Sequence, residues 1–211
     1  YDVEEMYQEL LSYVGSVQNS YLSALLKRYY VEDKGFIKQF KDSSAAKSVH
    51  HGFLGGLLEH TLSVTRLCQY YTKAYPVLNR SLLITAAIFH DIGKTKELSM
   101  LPENAYTDDG QLLGHIMIGA EMVHDGVANM PKFPKPLENA LKHCILAHHG
   151  ELEYGSPKKP ALAEALALNL ADNTDARMET LTDMLEAWYD SGEWLGYNKI
   201  FESNIRKTGE I

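Results

Sequence analysis

The sequence predicts an all-α fold. Three observations predict it. Apolar residues recur at helical spacing through most of the 211 residues. No stretch alternates apolar and polar residues in the manner of a half-buried strand. Loops rich in Gly, Pro, Asn and Asp cut the pattern into pieces of helical length. No internal repeat or low-complexity tract interrupts this, so one domain over 1–211 is expected.

Residues 3–14 and 21–30 read as amphipathic helices, with Asn19 or Ser20 as a cap for the second. Residues 34–40 form a short helix. Residues 43–51 are a polar approach to Gly52, Gly55 and Gly56, which mark a turn or a close packing point. The helix over 57–75 must stop before Pro76. Residues 81–94 are apolar nearly all round, the mark of a buried central helix. Residues 98–111 read as a loop, 114–129 as a helix, and 137–149 as another behind Pro131, Pro134 and Pro136. A Gly/Ser/Pro loop over 150–159 leads to Pro160, which suits the first turn of a last long helix running to about Tyr189. The tail, 191–211, is aromatic and polar with no clear period.

Net charge is −8, from 20 basic and 28 acidic residues. A surface this acidic does not bind nucleic acid over its whole extent, because phosphate contacts want Lys and Arg. A local basic patch or bound metal ions could still create an anion site. Cys68 and Cys144 lie in apolar stretches and form no CxxC pair, so buried thiols and a reducing cytoplasm are expected. The run 82–89 is far too short to span a bilayer, so no membrane partner is expected.

Nine histidines are present. His90 and Asp91 close the apolar run 82–89, where two polar groups are costly unless something satisfies them. A divalent cation does so, taking the imidazole lone pair and the carboxylate charge. His60 shares a helix face with Leu57, Val64 and Leu67. His148 continues the stripe of Leu137, Leu141, Cys144 and Ile145, whereas His149, rotated about 100° on helix geometry, is expected to face a different surface. Asp172 follows Leu168 by four positions, and His115 opens its helix after Gly114. A single histidine on an apolar face is more often a hydrogen-bonded core residue. Five helices each bringing a ligand-type side chain are explained more cheaply by one or two shared cations than by private partners.

His60, His90-Asp91 and the distant Asp172 resemble the H…HD…D signature of the HD superfamily of metal-dependent phosphohydrolases. The segment His-Asp-Ile-Gly-Lys over 90–94 is a strong local match, and His115 and His148 are similar to the six-ligand version that holds two metals. Residues 50–64 (HHGFLGGLLEHTLSV), 114–120 (GHIMIGA) and 148–157 (HHGELEYGSP) resemble the C-terminal domain of the YhaM-type 3′–5′ exoribonucleases.

That resemblance implies an HD-domain helical bundle: N-terminal helices over 1–50, an HD core over 51–178 and a C-terminal extension over 179–211. It implies an OB-fold domain upstream, consistent with a chain that begins at Tyr1 rather than Met. It further implies that His60, His90, Asp91 and Asp172 hold a first metal and that His115 and His148 hold a second, with Asp91 bridging. His149 would ligate or touch substrate. Imidazole and carboxylate together suit manganese, iron, cobalt, zinc or nickel. Asn169 departs from the family pattern, which usually has His three residues before the aspartate.

Around that set, Lys94 could reach a phosphate oxygen or pair with a carboxylate, and it joins Asp91 as a candidate catalytic residue. His51 is a weaker candidate for substrate binding, and Lys158 and Lys159 could wall a phosphodiester. No Gly-Tyr-Pro follows His148-His149, against a cyclic-dinucleotide phosphodiesterase of the HD-GYP kind. The leading expectation is hydrolysis of single-stranded RNA or DNA from the 3′ end. The alternatives are a phosphohydrolase of mononucleotides, a di-iron oxygenase on the same scaffold, and a non-catalytic nucleotide-binding domain. The sequence leaves room for a homo-oligomer.

Overall fold

The computed structural model describes residues 2–46, 53–188 and 192–209. Helix α1 (Val3–Ser16) begins where Asp2 accepts from the amides of Glu4 and Glu5, two of the N–H groups a helix start leaves unpaired. Asn19 caps α2 (Ser20–Lys27) in the same way. The chain then widens into a π-helical turn (Arg28–Glu32), and Asp33 caps α3 (Lys34–Asp42). Tyr30 in that turn is fully buried among Phe36, Phe40 and Phe89, and its hydroxyl donates to the Ile88 carbonyl at 2.9 Å. That bond ties the N-terminal helices to the centre of the bundle.

The centre is α5 (Arg80–Phe89), with every residue from Leu82 to Phe89 buried. Helix α4 (Gly56–Ala74) and the long α10 (Ala163–Glu186) pack on it and on each other. Burying side chains such as Leu83, Ile84, Ile88 and Phe89 contributes about 1.5–3 kcal/mol each. Short α6 (Lys94–Glu97) and α7 (Asp108–Leu112) lead into α8 (Gly114–Ala128), and α9 (Lys135–Leu146) packs on α8, α5 and α10. No helix among the described residues is long and apolar enough to cross a membrane.

The all-α expectation holds, with local corrections. The central helix does not run unbroken over 81–94. It ends at Phe89, and residues 90–93 form a tight turn held by bonds such as Ile92 N to Phe89 O and Lys94 N to Asp91 O. The break lets the chain press against α8: a Cβ on Gly93 would fall 2.0 Å from the His115 carbonyl oxygen. The loop expected over 98–111 contains α7, because the Thr107 hydroxyl caps it by accepting from the Gly110 amide. The helix expected over 137–149 stops at Leu146, where the chain leaves helical geometry for a turn through Gly150, φ +80°.

The fourth correction concerns the tail. It carries a two-stranded antiparallel sheet, β1 (Trp194–Asn198) and β2 (Ser203–Arg206), with Gly196 at an irregularity in the register. The bulge breaks the period-2 pattern on which a strand is recognised in sequence. The last helix, α10, starts at Ala163, so Pro160 precedes it and does not sit in its first turn, and it ends at Glu186 with Ala187 as its cap, short of the expected end near Tyr189. His51 falls outside the described residues.

Candidate metal centre

Four helix ends and one helix face meet at one end of α5. His60 projects from α4, and His90 and Asp91 from the turn after α5. His115 stands in the first turn of α8, and His148 and His149 in the turn after α9. Asp172 belongs to α10. His60, His90, Asp91 and His148 are buried, and His115, His149 and Asp172 are half-buried at the mouth.

Two groups share this space. In the first, His60 Nε2 lies 3.1 Å from Asp172 Oδ1, 3.2 Å from His90 Nε2 and 3.4 Å from Asp91 Oδ2. His90 Nε2 is 3.5 Å from Asp91 Oδ2 and 3.8 Å from Asp172 Oδ1. In the second, His115 Nε2 and His148 Nε2 lie 3.4 and 3.6 Å from the other Asp91 oxygen, Oδ1. His149 joins them, its ring 4.3 Å from that of His148 and 5.2 Å from that of His115. This corrects the expectation that His149 faces elsewhere. A rotation of about 100° per residue applies only inside a helix, and α9 has already ended.

Each imidazole is aimed from behind. The Nδ1 atoms of His90, His148 and His149 lie 2.7–2.8 Å from the carbonyls of Ala87, Ile145 and Tyr154. A carbonyl only accepts, so each Nδ1 carries the proton and each Nε2 turns a lone pair inward. Carboxylates do the same work elsewhere. Asp175 Oδ2 is 2.7 Å from His60 Nδ1, and Glu97 Oε1 is 3.0 Å from both Nδ1 and the backbone amide of His115. Neither carboxylate stood out in the sequence. Asp175 follows Asp172 by three positions on the same helix face, which is the one signal that could have found it.

The donor set fits divalent cations. Atoms about 2.1 Å from a shared ion lie about 3.0–3.4 Å from one another at octahedral or tetrahedral angles. The first group's shorter separations, 3.1–3.4 Å, match that. Asp91 Oδ1, His115 Nε2 and His148 Nε2 are buried with no hydrogen-bond partner, and such atoms are costly unless a cation meets them.

The electrostatics agree. Burial alone disfavours a charged His60, but Asp172, Asp175 and Asp91 outweigh it and raise its pKa well above the ordinary value. His148 is raised against burial by Asp91. These carboxylates draw protons onto the imidazoles, and a divalent cation competes for the same lone pairs. Burial pushes both His90 and His149 down to about 4, leaving them neutral at pH 7. Burial would raise Asp91, yet Lys94 and His90 hold it well below the usual carboxylate range.

Lys94 takes the carboxylate option: its Nζ sits 2.6 Å from Asp91 Oδ2. The tight turn places it three positions after Asp91. Lys159, which lines the adjoining cleft, pairs with Glu151 at 2.6 Å. His124 and His143 lie outside the cluster, bonded to Glu138 and to the Ala161 amide. Asn169 takes a structural part, donating to the His148 carbonyl at 2.8 Å.

Comparison with known proteins agrees with this geometry. The HD domain family profile matches residues 57–177. The 3′–5′ exoribonuclease YhaM of Geobacillus sp. (strain WCH70) is 36% identical over 183 residues, covering 87% of this chain and 55% of that protein. The YhaM proteins of Bacillus velezensis and Listeria welshimeri are each 37% identical, over 184 and 187 residues, covering 86% and 87% of this chain and 57% of each relative. The chain therefore spans little more than half the length of these relatives. No solved structure matches it. With more than half of its residues matched, and with the histidines and aspartates of the signature converging in space, the chain belongs to the HD domain family.

Proposed function

We propose that this chain is the hydrolytic part of a metal-dependent phosphodiesterase that removes nucleotides from the 3′ end of single-stranded nucleic acid. One observation carries the reading. Asp91 turns Oδ2 toward His60 and His90 and Oδ1 toward His115 and His148, so one carboxylate serves two donor groups. The likeness to proteins named as 3′–5′ exoribonucleases points to the substrate class. An upstream nucleic-acid-binding domain and a cytoplasmic location belong to the same reading.

In this reading His60, His90, Asp91 and Asp172 hold one ion, and His115, His148 and Asp91 hold the other, with His149 in reach of the second ion or of the substrate. Imidazole with carboxylate suits manganese, iron, cobalt or nickel. Bound there, two divalent ions would supply Lewis-acid charge to a phosphoryl oxygen and acidify a water molecule. The protein's own part is preorganisation. The Nδ1 bonds fix the tautomers, so the rings need not reorient when substrate arrives. Burial on α5 keeps bulk water from the back of the site. Lys94 holds the Asp91 carboxylate in place and offers its ammonium to a phosphate oxygen at the mouth.

The test is stepwise shortening of a 5′-labelled single-stranded oligonucleotide by the manganese-loaded chain, with elemental analysis of the same sample. Asp91→Ala is expected to abolish turnover and to lower the content of both ions. Activity within a few-fold of the parent would exclude the shared-carboxylate arrangement. Turnover confined to nucleoside phosphates would favour the mononucleotide alternative.

A further inference from the structure

The metal centre opens into a cleft of about 1060 Å³ whose outer part has no role in the reaction described above. Two residues belong to both: His149 and Asp172 line the metal group and the inner end of the cleft. From there one stripe of α10 forms the floor, running through Asn169, Asp172, Asn173, Ala176 and Arg177. The spacing of three and four is that of a single helix face. Arg177 lies five residues beyond Asp172, roughly 7.5 Å farther along the axis. The far wall is the turn of the C-terminal hairpin, Lys199 to Glu202. The near wall is the loop carrying Tyr154 and Lys159.

The chemistry of the outer half differs from that of the protein as a whole. The chain carries a net charge of −8, yet in the outer part of the cleft, where Lys159 and Glu151 neutralise each other, the two exposed cations Arg177 and Lys199 outnumber the one remaining acidic residue, Glu202. Arg177 is steadied by its bond to Asn173 Oδ1 at 3.1 Å. Lys199 sits on a turn whose backbone is held by Asn198, which accepts from the amides of Ile200 and Phe201. Asn198 also reaches α10, its Nδ2 lying 3.0 Å from Met184 Sδ. Phe201 is half-buried, and Tyr154 is largely exposed. Two cations and two aromatic residues lining one groove that leads away from the metal centre are the parts of a single-strand site. Cations meet phosphates, and aromatic faces stack bases without regard to sequence.

We infer that the C-terminal hairpin and the outer half of α10 form a binding site for the single strand as it leaves the metal centre. Arg177 and Lys199 contact backbone phosphates, and Phe201 stacks a base. This rests on the hydrolytic reading above for the direction of the strand, but it makes a separate claim about binding.

The test pairs binding with turnover. The probe is a fluorescently labelled single-stranded oligonucleotide, its affinity followed by anisotropy in chelator, where nothing is cut. The variants are Arg177→Ala, Lys199→Ala and Phe201→Ala, each on an exposed or half-buried position outside the metal groups. Each is expected to weaken binding about 5- to 20-fold, within the range of one phosphate contact or one stacked base. The two cation variants should also flatten the dependence of log affinity on log salt by nearly one unit each. Turnover of bis(p-nitrophenyl) phosphate, too small to reach the hairpin, should stay unchanged. Unchanged strand affinity and salt slope in all three variants would overturn the assignment and leave the hydrolytic reading untouched. A parent chain that cleaves no phosphodiester, while the variants still weaken strand binding, would overturn the hydrolytic reading and support this site.

Discussion

The side-chain amide of Asn169 donates to the backbone carbonyl of His148 at 2.8 Å, and the same side chain packs on Gly150 so closely that a Cβ there would lie 2.5 Å from its Nδ2. Asn169 therefore fastens the turn after α9 to α10. That turn carries His148 and His149, so the bond decides where half of the second donor group stands.

Replacing Asn169 with Ala is expected to weaken binding at the proposed second metal position by about 10-fold, the usual cost of losing a group that orients a ligand. Titration of the purified protein with manganese, read calorimetrically, should show one affinity altered and the other retained. Two unaltered affinities would mean that the turn holds its shape without Asn169.

Asp175 and Glu97 separate the two groups more sharply. Asp175 supports His60, and Glu97 supports His115. Asp175→Ala should lower affinity at the first position, and Glu97→Ala at the second, each by about 10–100-fold. Elemental analysis after dialysis against graded chelator distinguishes the two patterns. Loss of both ions together from either variant would show that the groups do not fill independently.

The junction of α8 and α9 sets an acid limit on stability. Glu138 is buried and gathers Lys142 at 2.8 Å, Lys135 at 2.9 Å and His124 at 2.9 Å. Burial would raise its pKa, but Lys142, His124 and Lys135 outweigh burial and pull it down to about 2. A carboxylate with a depressed folded-state pKa contributes fully above its ordinary value of 4.5, and the contribution fades as pH falls toward about 2. Glu138→Gln is expected to cost about 1–2 kcal/mol at pH 7, since two of the three partners are solvent-screened. Urea unfolding at pH 7 and pH 3 should show the gap between parent and variant shrinking at the lower pH. An equal gap at both would assign the effect to packing instead.

Much of the candidate site was readable because buried polar groups are costly. His90 and Asp91 at the end of the run 82–89, and His60 among Leu57, Val64 and Leu67, had no inexpensive explanation other than a shared ligand. The supporting carboxylates were not readable. Glu97 and Asp175 lie on polar stretches where an acidic residue is ordinary, and only contact across the fold marks them out. The direction of His149 is not readable for a related reason: it depends on where α9 ends, and α9 ends at Leu146, earlier than the apolar stripe suggests.

By itself the sequence determined the helical class, the buried central helix and the list of imidazoles and carboxylates that converge, because helical period and the cost of buried polar atoms are local properties written in residue order. The tertiary structure alone decided which Asp91 oxygen faces which histidines, which residues hold the rings from behind, and that the C-terminal hairpin walls the cleft. Those relationships join residues up to 115 positions apart, as His60 and Asp175 are, and depend on helix ends and close backbone contacts such as Gly93 on His115. No local pattern encodes a distance across the chain.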